Sequence, residues 1–212
     1  SALVPNERGL ERAMAAHVGK VAVFTAASDT FNRKNINASI DESILRFRPV
    51  VTSARAAGLP VRGYVSTAFW CPYEGRIRPA QVVRVCRQLL DVGVEELSIG
   101  DTIGKASPEE VRELLDALPA EVARDRVALH FHDTYHRAVP NALTARTMGI
   151  STFDASAGGI GGCPYAPGAT GNVATEALID AFRSAGADVA GDLAALAAAR
   201  RIIAPALGRT AD

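Results

Sequence analysis

Apolar and polar positions along this chain change period repeatedly. Short apolar runs at Ala2–Val4, Val21–Thr25, Val61–Val65, Glu96–Ile99, Val127–Phe131 and Thr152–Ala155 have the length of buried strands. Between them, stretches near 7–17, 39–57, 79–92, 107–118, 137–148 and 173–185 carry apolar residues at helical spacing. Helix starts are marked in several places. Ser39 followed by Glu42 predicts a capping box, and Ser107-Pro108 predicts an N-cap with proline in the first helical position. Asn172 stands where an N-cap for the 173–185 helix belongs. A last helix is expected near 190–205, with Leu193, Leu196 and Ile202-Ile203 as its packing side.

Regular alternation of strand and helix predicts a parallel sheet, either open and doubly wound or closed into a barrel. An internal echo favours the barrel. Leu97-Ser-Ile-Gly-Asp-Thr-Ile-Gly104 parallels Leu129-His-Phe-His-Asp-Thr-Tyr-His136, so Asp101 and Asp133 fall at equivalent corners after two strands. Functional residues at the C-terminal ends of several strands are the habit of the (β/α)₈ barrel. The Gly-x-Gly-x-x-Gly fingerprint that a dinucleotide fold places after its first strand is absent there. The expectation is an α/β chain forming an incomplete TIM barrel, about six of its eight βα units, as one domain over 1–212.

Composition narrows the partners. Lys plus Arg and Asp plus Glu number 23 each, and no basic run interleaves with aromatics, so nothing recommends nucleic acid. Arg33-Lys34 is a local basic pair able to meet a phosphate. Three cysteines, Cys71, Cys86 and Cys163, are odd in number and unpatterned, which suits a reducing compartment, the cytoplasm. No apolar run has the length of a membrane span, and no signal-peptide pattern opens the sequence.

Two stretches carry chemistry. Residues 156–172 hold six glycines, at 158, 159, 161, 162, 168 and 171, around Cys163-Pro164. Proline keeps the residue before it extended, and a loop this long is uncommon in a compact domain unless it has a task. The second is Val127-Ala-Leu-His-Phe-His-Asp-Thr134. Residues two apart on a strand share a face, so His130 and His132 project together. Two imidazoles on one face are half of a metal site, or else two core histidines with backbone partners.

Taken together, His130-Phe-His-Asp-Thr-Tyr135, Val65-Ser-Thr-Ala-Phe-Trp-Cys-Pro-Tyr-Glu-Gly75, Arg33-Lys-Asn-Ile-Asn37 and Gly161-Gly-Cys-Pro-Tyr-Ala-Pro-Gly-Ala-Thr-Gly-Asn-Val-Ala-Thr-Glu176 resemble the hydroxymethylglutaryl-CoA lyase family. The similarity runs over nearly the whole chain, and the segment around Cys163 is its most specific part. The resemblance implies that His130, His132 and Asn172 ligate a divalent metal, Mg²⁺ or Mn²⁺ ahead of Zn²⁺. It implies an acyl-CoA substrate and Cys163 as the catalytic thiol, with a homo-oligomer possible. Asp101 is a candidate supporting residue that orients a ligand or the substrate hydroxyl. An Arg-Asp pair at the end of the family's first strand has no counterpart here, because the resemblance starts near the third strand. Two further departures are His136, where glycine is expected, and Phe69-Trp70, where smaller residues are expected beside a pocket rim.

The implied reaction cleaves 3-hydroxy-3-methylglutaryl-CoA to acetyl-CoA and acetoacetate, and a mostly protonated thiol suits Cys163 to the role of general acid. Rivals are another metal-dependent aldolase, lyase or synthase of the same barrel superfamily, and a catalytically incompetent piece lacking the Arg-Asp pair. A zinc hydrolase barrel would want further histidines on later strands, and only His17 and His136 remain.

Overall fold

The computed structural model describes residues 1–162 and 171–207. In chain order the elements are β1 (Ala2–Leu3), α1 (Glu7–Ala15), β2 (Val21–Ala26), α2 (Asp29–Ile36), α3 (Ile40–Ala56), β3 (Val61–Ser66), β4 (Trp70–Cys71) and β5 (Gly75–Arg76). There follow α4 (Pro79–Asp91), β6 (Glu96–Asp101), α5 (Pro108–Ala117), β7 (Val127–Phe131), α6 (Ala138–Thr147), β8 (Thr152–Asp154), α7 (Thr175–Ser184) and α8 (Leu193–Ile203). Six strands form one parallel sheet in the order β1-β2-β3-β6-β7-β8, while β4 and β5 pair as a separate antiparallel hairpin. The order never reverses, so there is no switch point of the doubly wound kind. The sheet curls into a partial (β/α)₈ barrel, with β1 and β8 each unpaired on one side among the described residues.

The two faces of the sheet are set by alternation. In β3, Val61, Gly63 and Val65 are buried against the helices, while Arg62, Tyr64 and Ser66 line the concave side. On β6 and β7 the same rule buries Leu97, Ile99, Val127 and Leu129 completely. Each such aliphatic side chain removed from water contributes about 1.5–3 kcal/mol, so the helix-facing layer carries the stability. The concave layer is left free for polar residues.

Both predicted capping boxes form. Ser39 accepts from the Glu42 amide while Glu42 accepts from Ser39, and Ser107 and Glu110 do the same. Asn172, in contrast, is not a cap: α7 starts after Ala174, and Asn172 is held elsewhere by strand pairing. The packing side expected of the last helix is only partly covered. No residue of α8 is buried, and Ile202 is 79% exposed. It lies against the 157–159 turn, where Arg200 lays its stem against Gly158, and Leu193 and Leu196 are half-buried while Ile202 and Ile203 are exposed.

Candidate functional site

The histidines sit where β7 ends. Gly100 of β6 flanks His130 on one side and Asp154 of β8 flanks it on the other. His132 lies just past the strand, and its backbone bridges in antiparallel fashion to Asn172. Directly opposed residues in such a pair share a face, so Asn172 joins the histidines at the same end of the sheet. Around the bridge, the Asp133 amide donates to the Gly171 carbonyl at 2.8 Å and the Val173 amide to the Phe131 carbonyl at 3.1 Å. The Asn172 side-chain nitrogen donates to the Ile160 carbonyl at 3.0 Å. That bond uses the amide nitrogen and leaves the oxygen, the atom with which asparagine ligates metals, to other partners.

The imidazole centroids of His130 and His132 are 5.2 Å apart. His132 is buried, and its Nδ1 has no hydrogen-bond partner. Burial first, and the neighbouring His130 second, push its pKa down to about 4. It is therefore neutral at pH 7 with an unspent ring nitrogen, the state in which imidazole binds a cation. This orphaned atom fits the implied metal. Among the described residues no three His, Cys, Asp or Glu side chains gather closely enough to hold an ion. The set offered is two imidazoles and one amide, a mixed nitrogen and oxygen face that harder divalent cations accept when substrate or further oxygens complete it.

A cavity of about 870 Å³ opens on the concave side, with Phe24, Tyr64, Ser98, His130, His132 and Asp154 among its walls. Asp154 is held on both oxygens: Oδ1 lies 2.9 Å from Arg62 Nη1, and Oδ2 accepts from Ser98 Oγ at 2.7 Å. Burial alone would raise its pKa, but His130, Ser98 and Arg62 outweigh that and keep the carboxyl ionised below its ordinary range. Sequence reasoning missed Arg62, Ser98 and Asp154. Their signal was the polar residue at every second position of strands whose other residues are apolar.

Asp101 goes elsewhere. It is fully buried, points away from this cavity and accepts from the amides of Lys105 and Ala106 at 3.1 and 2.9 Å. Burial pushes its pKa up to about 6. Its place is that of a corner brace rather than a substrate-facing group. Phe69 and Trp70 also stay off the cavity wall: Phe69 packs near Phe131, and the Trp70 indole donates to Glu110. Cys163 lies outside the described residues.

The chain is 48% identical over 98% of its length to the cytoplasmic 3-hydroxy-3-methylglutaryl-CoA lyase of Danio rerio, covering 62% of that protein. It is also 48% identical over 98% of its length to the mitochondrial hydroxymethylglutaryl-CoA lyase of Bos taurus, covering 64% of it. The chain thus spans a little over three-fifths of the length of these curated relatives. A crystal structure of hydroxymethylglutaryl-CoA lyase from Pseudomonas aeruginosa superposes with a TM-score of 0.94 at 45% identity, covering 99% of this chain and 70% of that one. The sequence profile of the HMGL-like family matches residues 1–203. With that match over almost the whole chain, and the two histidines and Asn172 brought to one strand end, the chain belongs to the HMGL-like family.

Proposed function

We propose that this chain is part of a carbon–carbon lyase that cleaves 3-hydroxy-3-methylglutaryl-CoA to acetyl-CoA and acetoacetate. The observation that carries the reading is the convergence of His130, His132 and Asn172 at one strand end, with both histidines lining the concave cavity, in a chain nearly half identical to lyases of that name. His130, His132 and Asn172 would hold the divalent cation, Mg²⁺ or Mn²⁺, which when bound lowers the acidity barrier of the tertiary hydroxyl that must lose its proton.

The protein's own residues do the rest. His132 is kept neutral by burial, so it competes poorly for protons and stays available as a ligand. Phe24 and Tyr64 give the cavity an apolar flank that excludes water from the reacting carbons. Cys163 is proposed as the general acid: bond cleavage leaves the acetyl-CoA enolate, whose carbon takes a proton, and a thiol with a pKa of about 8.5 is protonated at neutral pH. The segment that carries Cys163 begins and ends beside the histidines, because the Asn172 amide donates to the Gly161 carbonyl at 3.2 Å. Cys71 and Cys86 are free, buried thiols, in keeping with a reducing compartment such as the cytoplasm. Among the described residues no helix is long and apolar enough to cross a membrane.

Turnover of 3-hydroxy-3-methylglutaryl-CoA by the full-length protein with Mg²⁺ or Mn²⁺, followed by acetyl-CoA release, tests the reaction. Cys163→Ala is expected to lower kcat by about 10²-fold or more while leaving metal affinity unchanged. Near wild-type turnover in that variant removes Cys163 from the chemistry. No turnover of this substrate by the folded wild type removes the lyase reading.

A further inference from the structure

The concave face carries a line of charges for which the cleavage chemistry has no direct use. Lys20 Nζ lies 2.6 Å from Glu96 Oε2, and Arg62 Nε lies 3.2 Å from Glu96 Oε1. Arg62 continues to Asp154 at 2.9 Å, and Asp154 Oδ2 lies 3.8 Å from Nδ1 of His130. The Arg62 and Asp154 side chains are only 12% and 19% exposed. Charges withdrawn from water to that degree cost several kcal/mol each before pairing, and apolar residues of similar size often serve packing as well or better. An ion chain kept in such a place points to a task at one of its ends. One end, Lys20, reaches solvent; the other is the histidine.

A neutral imidazole has one N–H and one lone pair, and the partner of one nitrogen decides which is which. Asp154 is an ionised acceptor that cannot donate. Its Oδ2 spends one acceptor site on Ser98, and a carboxylate oxygen has room for a second donor. The parallel register sets His130 opposite Asp154, so the proximity follows from strand pairing rather than from a loop. We infer that Asp154 is the positioning residue of His130, placing the ring proton on Nδ1 and the lone pair on Nε2, with Arg62 and Ser98 holding the carboxylate in place. The purpose of this arrangement rests on reading His130 as a metal ligand; the arrangement itself does not.

The test uses the full-length protein, ¹⁵N-labelled on histidine and free of metal, at a pH where the imidazoles are neutral. Long-range proton–nitrogen spectra report the tautomer of His130. The wild type is expected to show the proton on Nδ1. In Asp154→Ala it is expected to move largely to Nε2, and Mn²⁺ binding is expected to weaken about 10- to 100-fold. Because Asp154→Ala strands Arg62, the paired variant Arg62→Met/Asp154→Leu removes both charges together and reads the same signal if the single variant does not fold. A His130 tautomer unchanged from wild type in either folded variant overturns the inference. A tautomer switch in a protein whose wild type binds no Mn²⁺ upholds the positioning role while refuting the metal reading. Mn²⁺ binding that perturbs His130 in the wild type, with tautomer and affinity unchanged in the variants, does the reverse.

Discussion

The corners that follow β6 and β7 share one backbone frame and differ in what it carries. In each, an Asp-Thr pair stands at the strand end, and the amide three residues beyond the aspartate donates back to its carbonyl, at 3.1 Å for Gly104 and 3.0 Å for His136. That third residue has positive φ in both, 71° for Gly104 and 55° for His136. Each carboxylate accepts from the amide five residues on, Ala106 at 2.9 Å and Ala138 at 3.0 Å. The differences lie ahead of the frame: β6 turns Ser98 and Gly100 toward the cavity, while β7 and the residue just past it turn His130 and His132 toward it. An aspartate after a strand in this fold therefore builds the corner first. The residues that line the cavity are the inward ones that precede it.

The corners also touch, and breaking that contact should have the largest effect. A Cβ on Gly104 would fall 2.7 Å from the His132 carbonyl oxygen and 2.9 Å from the Thr134 amide, in backbone geometry that L residues adopt at a cost. Gly104→Ala is expected to lower unfolding free energy by about 3 kcal/mol in urea titrations and to perturb the His132 resonances. The matching Ala at position 136 should do neither. If Gly104→Ala is as stable as the wild type, the packing of one corner on the other is wrong.

A smaller effect at the first corner is read through pH. Burial raises the Asp101 carboxyl to about 6 in the folded protein, against about 3.9 in the unfolded chain. The folded state then holds the proton more tightly, so stability from this group is present at low pH and is lost as pH rises toward and through 6. Relative to Asp101→Asn, the wild type should lose about 2 kcal/mol between pH 4.5 and 7, read from urea midpoints at a series of pH values. A difference that grows in favour of the wild type as pH rises would show that the backbone donors at Lys105 and Ala106 outweigh burial.

The smallest effect sharpens the likeness itself. His136 occupies the left-handed position with its ring 84% exposed, so it strains the turn with little packing to offset the strain. His136→Gly is expected to stabilise by about 1 kcal/mol, a rise of a few degrees in Tm, without altering the cavity. Destabilisation instead would mean that the His136 contact with Asp133 contributes more than the backbone strain costs.

Much of this was legible in the sequence. All six strands of the sheet, two capping boxes and the Asp-Thr echo follow from period and cap chemistry, and the family resemblance expects glycine at position 136, where φ is positive. The short helix α2 was missed because Asp29–Ile36 has no apolar stripe; it buries only Phe31 and Asn32, and its signals were Ser28 at the N-cap and left-handed Asn37 at the end. The hairpin of Trp70–Cys71 with Gly75–Arg76 is too short for periodicity to register. Asn172 reads in the sequence both as a helix cap and as a ligand position, and only its pairing with His132 across forty residues of chain shows that it does not cap α7. Arg62 and Asp154 were invisible for a related reason: their partners come from other strands, and local patterns carry no information about which strands lie side by side.

The charge line on the concave face limits how this interior can drift over generations. Losing Arg62 alone leaves Glu96 and Asp154 as like charges facing each other across a sheltered space, and losing Asp154 alone leaves a sheltered guanidinium. Single steps at these positions are penalised, whereas exchanges that change two or three members together are not. Descendants of an ancestral barrel should therefore keep the whole line or replace it as a block. Lys20, whose side chain is 41% exposed, is the member that can be replaced first.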